Sequence, residues 1–292
     1  MKSLLSLFLC LTILCGYSQN TARDDKIPFE LTPFNNIKVK VILNKKDTVF
    51  LTFDSGATDF YLTKEAIKKY LNPKGLKLTM DDIRDNTFTI GHLEWTHQQI
   101  YPIETTGQGT EGLFGWNIFE GKILEIDYDK KQMLVHNKVP KIDRHYEKFG
   151  MEIMKEHFLI NLEIIQDKQK YKSKFLFDTG FQKALMLDND LLTKMNFPTD
   201  QLEILKTTIL HNSNNDEIPL KTVKVQKILF GKYALENTPA EVNTYNKPAG
   251  YETNFVGSDV LKRFHIILDF QKKTVYMKPN LNFTNKYFDE KI

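Results

Sequence analysis

Cysteine is almost missing from this sequence. The 292 residues hold two, Cys10 and Cys15, and both sit in the apolar N-terminal stretch. If that stretch is removed, the rest of the chain has no thiol, which excludes disulfides, a cysteine nucleophile and cysteine metal sites. Excess charge of either sign is missing too. Lys and Arg number 40 against 37 Asp and Glu, a formal net charge of +3. That balance gives no reason to expect nucleic acid or an anionic membrane surface as a partner. After the N-terminal stretch no apolar run reaches the ~20 residues a spanning helix needs, so no membrane span is expected in the processed chain. The histidines show no metal-ligand spacing, and no H-E-x-x-H, G-x-S-x-G or P-loop motif occurs. No metal and no cofactor is expected.

What is present begins with the N-terminus. MKSLLSLFLCLTILCGYSQN carries one Lys, an apolar run from Leu4 to Cys15, then small and polar residues. This is the layout of a secretory signal over residues 1–18, with Gly16 and Ser18 placed for a cut before Gln19. Lipidation at Cys15 is disfavoured, because Leu14 is large where a small residue is expected. The processed chain is therefore expected in the periplasm or outside the cell.

The rest of the chain repeats itself. FLTFDSG (50–56) and KFLFDTG (174–180) are both hydrophobic strands that run into an Asp followed by a hydroxyl residue and Gly. GLFGWNIFEGKILEIDYDKKQMLV (112–135) matches NFVGSDVLKRFHIILDFQKKTVYM (254–277), with Gly115 to Gly257 and Asp127 to Asp269 both 142 residues apart. TFTIGHLEW (87–95) likewise matches KILFGKYAL (227–235). The two Asp lie 124 residues apart and the later matches 140 and 142, so the second copy carries about 16 extra residues between them; such matches in one order mean two copies of one unit. The first copy spans 27–143 and the second 150–285, joined by the polar stretch 137–150. IKVKVIL (37–43) and HFLINLEII (157–165) alternate apolar and polar positions, the period of a half-buried strand. Short helices are expected after the caps Thr63 and Asp188, ending before Pro73 and Pro198. Strands dominate and turn signals are frequent, so the class is all-β with a few short helices, in small closed sheets. Asp127 and Asp269 end strands before DKK and QKK and read as turn caps; Trp95 and Trp116 read as core.

On these motifs the chain resembles the bilobal aspartic peptidases of the pepsin and retropepsin-like superfamily. The resemblance rests on Asp54-Ser55-Gly56-Ala57-Thr58, Asp178-Thr179-Gly180, and the apolar-apolar-Gly segments ending at Gly115 and Gly257. It implies two homologous closed β-barrel lobes in one chain and an endopeptidase whose water is activated by Asp54 and Asp178. Ser55 and Thr179 are expected to hydrogen-bond across to the opposite loop. Gly56 and Gly180 allow close approach of the backbone, Gly115 and Gly257 let a strand cross each Asp loop, and Thr58 supports the first loop. The implied partner is a peptide or an unfolded protein, and the implied state is a monomer, because both half-sites lie in one chain.

Two departures from the family matter. The second loop continues Phe181-Gln182 where a small or hydroxyl residue is usual. If Phe181 pushes between the loops, the chain is an inactive module that only binds a peptide or partner protein in the cleft. If Phe181 points into the second lobe's core or lines a substrate pocket, and Gln182 supplies the missing hydrogen bond, the dyad survives. The segment where the first lobe's flap belongs, 75–87, is short, whereas the second copy has the longer insert 205–221 with an HNSNND tip, so closure of the cleft from the second lobe is expected.

Overall fold

The computed structural model describes residues 25–288 except 73–74, 76–82, 108 and 212–216. The expected signal segment with Cys10 and Cys15, the centre of the first flap segment and the HNSNND tip lie outside the described residues.

Each copy folds as a β lobe nucleated by the same hairpin. Ile37–Leu43 pairs antiparallel with Asp47–Asp54 across Asn44 and Lys45, both with positive φ. His157–Gln166 pairs with Gln169–Asp178 across Asp167 and Lys168, again both with positive φ. Two central residues of that hand match the twist of the flanking strands, and Asn and Asp tolerate the conformation best. In IKVKVIL every second residue is buried, so the alternation read from sequence is the one that faces the core.

The second lobe is a closed barrel. His157–Gln166, Gln169–Asp178, Asn254–Gly257, Leu185–Asp188, Tyr233–Asn243 and Glu217–Phe230 pair in that order, and the last pairs back onto the first. The expectation of two closed barrels needs correction for the first lobe. There the ladder runs Leu93–Gln98, Asn86–Ile90, Ile37–Leu43, Asp47–Asp54, Gly112–Gly115, Phe60–Thr63, Ile100–Ile103, and its two end strands do not pair with each other. The cause is local. The second lobe has one continuous strand, Tyr233–Asn243, bonded on one flank to Glu217–Phe230 and on the other to Leu185–Asp188. Its counterpart in the first lobe is broken after Gln98, close to His97, whose φ of +55° takes the chain out of the extended region. The first ring thus closes through a kinked chain segment and not through a ladder.

A third sheet joins the lobes. Its order is Glu147–Gly150, Thr274–Pro279, Phe264–Asp269, Ile123–Asp127, Gln132–His136 and the start of Asp25–Leu31. Leu124 pairs with Leu268 and Ile126 with Ile266. Under the 142-residue offset these two pairs exchange, so the molecular pseudo-two-fold passes between Glu125 and Ile267. Both expected turn caps are made, Asp127 Oδ1 accepting from the Lys130 N–H and Asp269 Oδ1 from the Lys272 N–H. Among the described residues there are three α-helices, all short. Thr63 caps Lys64–Tyr70, Asp188 caps Asn189–Lys194, and Ser258–Leu261 follows Gly257. Trp116 is buried and Trp95 packs against the same core.

Candidate active site

The site forms where the two Asp strands meet near the pseudo-two-fold. Asp47–Asp54 runs parallel to Gly112–Gly115 with Asp54 opposite Gly115, and Gln169–Asp178 runs parallel to Asn254–Gly257 with Asp178 opposite Gly257. The same register in both lobes puts both carboxyls at strand ends, pointing toward each other.

Four hydrogen bonds lock the loops. The Ser55 N–H donates to Thr179 Oγ1 and the Thr179 N–H to Ser55 Oγ, both at 2.9 Å. Ser55 Oγ donates to the Phe177 carbonyl at 2.8 Å and Thr179 Oγ1 to the Phe53 carbonyl at 2.9 Å. Both hydroxyls are fully buried. Each is donor and acceptor at once, which only a hydroxyl can do in this space.

The glycines are there because nothing larger fits. A Cβ on Gly56 would stand 2.7 Å from Asp178 Cγ, and one on Gly180 closer still to Asp54 Cγ. A Cβ on Gly115 would meet the Thr58 backbone and the Ala57 carbonyl. On Gly257 it would stand 2.5 Å from the Phe181 ring and run into the Lys183 carbonyl. Without a Cβ at Gly56 and Gly180, each loop comes close to the opposite carboxyl. Gly56 N donates to Asp54 Oδ1, while Gly180 N and Phe181 N donate to Asp178 Oδ1, all at 2.8 Å.

The two carboxyls lie close enough to act on each other, and both hold their protons more tightly than an ordinary Asp. Burial is the main cause for Asp54, offset in part by the Gly56 N–H, Asp178 and the Gly180 N–H. Burial also leads for Asp178, with the neighbouring Asp54 charge second, and these raise it well above the usual range against the opposing N–H groups of Phe181 and Gly180. Carboxyls this close cannot both ionise readily, so the pair shares a proton and titrates as a unit.

The second loop is not disrupted by its unusual residues. Phe181 does not lie between the carboxyls; its ring packs edge-on against Phe255, 6.0 Å between centroids, and covers Gly257. Gln182 Nε2 donates to Asn36 Oδ1 at 3.0 Å. Asn36 is a residue that the sequence reading missed. Its Nδ2 donates to the Thr179 carbonyl at 3.1 Å and the Gly180 carbonyl at 2.9 Å, so a first-lobe side chain clamps the second Asp loop. In sequence it looks like half of an Asn-Asn turn. The only signal was its place, one residue before the first alternating strand. Thr58 stands with its backbone against Gly115, where the parallel strand crosses the first loop. Among the described residues no cluster of His, Cys, Asp or Glu could hold a metal.

No protein-family profile matches the chain, and no curated protein matches it by sequence. Solved structures do match. The aspartic proteinase from Irpex lacteus superposes with a TM-score of 0.59 at 12% identity, over 90% of this chain and 99% of that one. The fold is pepsin-like. At this identity the likeness speaks for the two-lobed architecture alone.

Proposed function

We propose that this chain is an aspartic-type endopeptidase that cuts peptide bonds with a water held between Asp54 and Asp178. The observation that carries the reading is the pair itself: two buried carboxyls from two lobes, each in the other's field and each holding its proton more tightly than an ordinary Asp. The ionised carboxyl takes a proton from the water, whose oxygen bonds to the scissile carbonyl carbon. The protonated carboxyl gives its proton to the carbonyl oxygen. As the resulting diol collapses, the C–N bond breaks, the nitrogen takes one proton, and the products are a carboxylic acid and an amine. The dyad ends with one proton, as it began. Phe181 stands clear of the carboxyls and Gln182 is tied to Asn36, which favours a working dyad over a module that only binds.

The substrate is a peptide or an unfolded protein, taken by a monomer after export to the periplasm or beyond. Among the described residues no helix is long and apolar enough to cross a membrane. The test is incubation of the purified chain with denatured protein across pH, with and without pepstatin. Cleavage that pepstatin stops and a metal chelator does not is the expected result. Absence of cleavage at every pH, or loss of it with chelator, overturns the reading.

A further inference from the structure

The strands that end on Asp54 and Asp178 present a second face beside the carboxyls, and the two lobes furnish it differently. Side chains alternate along a strand. Leu51 and Phe53 belong to the main core, so Thr52 shares a face with Asp54. Phe175 and Phe177 belong to it too, so Leu176 shares a face with Asp178. Cross-strand register extends each face sideways. In the first lobe Thr52 lies beside Leu113, Leu113 beside Tyr61 and Tyr61 beside Tyr101. In the second lobe Leu176 lies beside Phe255 and Phe255 beside Met186. The position after D-[ST]-G holds Ala57 in the first loop and Phe181 in the second, and Phe181 packs against its row.

One wall is open and the other is filled. Ala57, Leu113 and Tyr61 are only partly buried, and Tyr101 is exposed. Hydroxyls edge this wall: Thr52 bonds Thr110 at 3.3 Å. Opposite, Leu176, Phe255 and Met186 are 1%, 6% and 9% exposed, because Phe181 and Ala249 pack over them in a small cluster apart from the main core.

We propose that this asymmetry sets the preference of the cleft: a bulky aromatic side chain, with a polar tip tolerated, on the Asp54 side, and a small apolar side chain against Phe181 on the Asp178 side. It rests on the reading of the cleft as a peptide site. A large side chain has no room where Phe181 lies, and a polar one finds no partner there. On the other wall the side chains of Tyr61 and Tyr101, each an apolar ring with a polar tip, are open.

Two measurements test it together. A randomised decapeptide library is cut by the full chain and the new termini are mapped. The same library is also bound to the Asp54→Asn chain and the retained peptides are sequenced. Both should show an adjacent aromatic and small apolar pair, favoured about tenfold or more over the reverse size order. Phe181→Ala should relax the small position toward Leu and Phe by about tenfold, with Phe181→Leu giving less; Ala57→Phe should erode the aromatic preference. If nothing is cut but the retained peptides carry the pair, the peptidase reading fails and this inference stands. If retained peptides show no such pair, or Phe181→Ala, Phe181→Leu and Ala57→Phe all leave the preferences unchanged, the inference is overturned, whether or not the chain cuts.

Discussion

In the proposed reaction Asp54 and Asp178 act as one unit, so their losses should not add. Asp54→Asn and Asp178→Asn are each expected to lower peptide turnover by about 10²–10⁴-fold or more, with the double variant no worse than the singles. Substantial turnover in either single variant would sink the assignment. The same pair costs stability at neutral pH. Burial raises both pKa values, and a carboxyl raised in the folded state contributes most while protonated, losing that contribution as pH rises through the folded value. Asp178→Asn cannot ionise, so it should melt above the unsubstituted protein at pH 7 and show no such advantage at about pH 3, below the model-peptide Asp value. Thermal unfolding at both pH values checks this. The residues around the pair hold it by buried hydrogen bonds. Ser55→Ala leaves the buried Thr179 N–H without its acceptor and should cost roughly 1–3 kcal/mol. A double-mutant cycle with Thr179→Ala should show coupling, because the two hydroxyls serve one network.

At the scale of elements, the register between the Asp strand and its parallel neighbour decides the site. Gly115 and Gly257 face the two Asp residues in register and pass over the loops with no space for a side chain. Gly115→Ala should therefore destabilise by about 1–3 kcal/mol or more through overpacking against the Thr58 backbone, which cannot swing aside as a side chain could. Denaturant unfolding measures it, and a change within about 0.5 kcal/mol, the range of an ordinary surface substitution, would contradict the close crossing. The alternating strands and the helix caps were legible from local chemistry; the two hairpin turns became plain only in the structure. Asn44-Lys45 and Asp167-Lys168 take the positive φ that tight hairpins demand, and Thr63 and Asp188 cap helices at the expected places. The break between Leu93–Gln98 and Ile100–Ile103 was not legible, since LEWTHQQIYPI reads no differently from a continuous strand.

At the scale of the whole molecule, the inter-lobe sheet carries an acid-sensitive knot next to the pseudo-two-fold. His136 Nε2 donates to Glu125 Oε2 and His265 Nε2 to Glu125 Oε1, both at 2.7 Å, so one carboxylate ties a first-lobe strand to a second-lobe strand. Burial alone would raise the Glu125 pKa, but these two bonds outweigh it and hold the carboxyl down at about 2. A depressed carboxylate contributes stability that is full above its unfolded value of about 4.3 and lost as pH falls toward the folded one. Unfolding free energy should therefore drop between about pH 4 and pH 2, and Glu125→Gln should flatten that drop while lowering stability at pH 7. An unchanged slope would mean that the knot is not coupled to folding. Export belongs to this scale as well: N-terminal sequencing of the protein recovered outside the cytoplasm should begin at Gln19, and recovery of an intact Met1 chain would remove the signal-segment reading.

The sequence by itself determined the duplication, the strand periods, the caps and the two Asp loops, because each is written in residues close together or in matches that recur in one order. Folding decided what those residues meet. Asn36 reaches carbonyls 143 and 144 residues away, Phe181 turns onto Phe255 and not between the carboxyls, and Glu125 collects two histidines from different lobes. None of these contacts has a local pattern. They exist because two similar lobes pack across a pseudo-two-fold, and packing at that junction depends on positions where the copies differ.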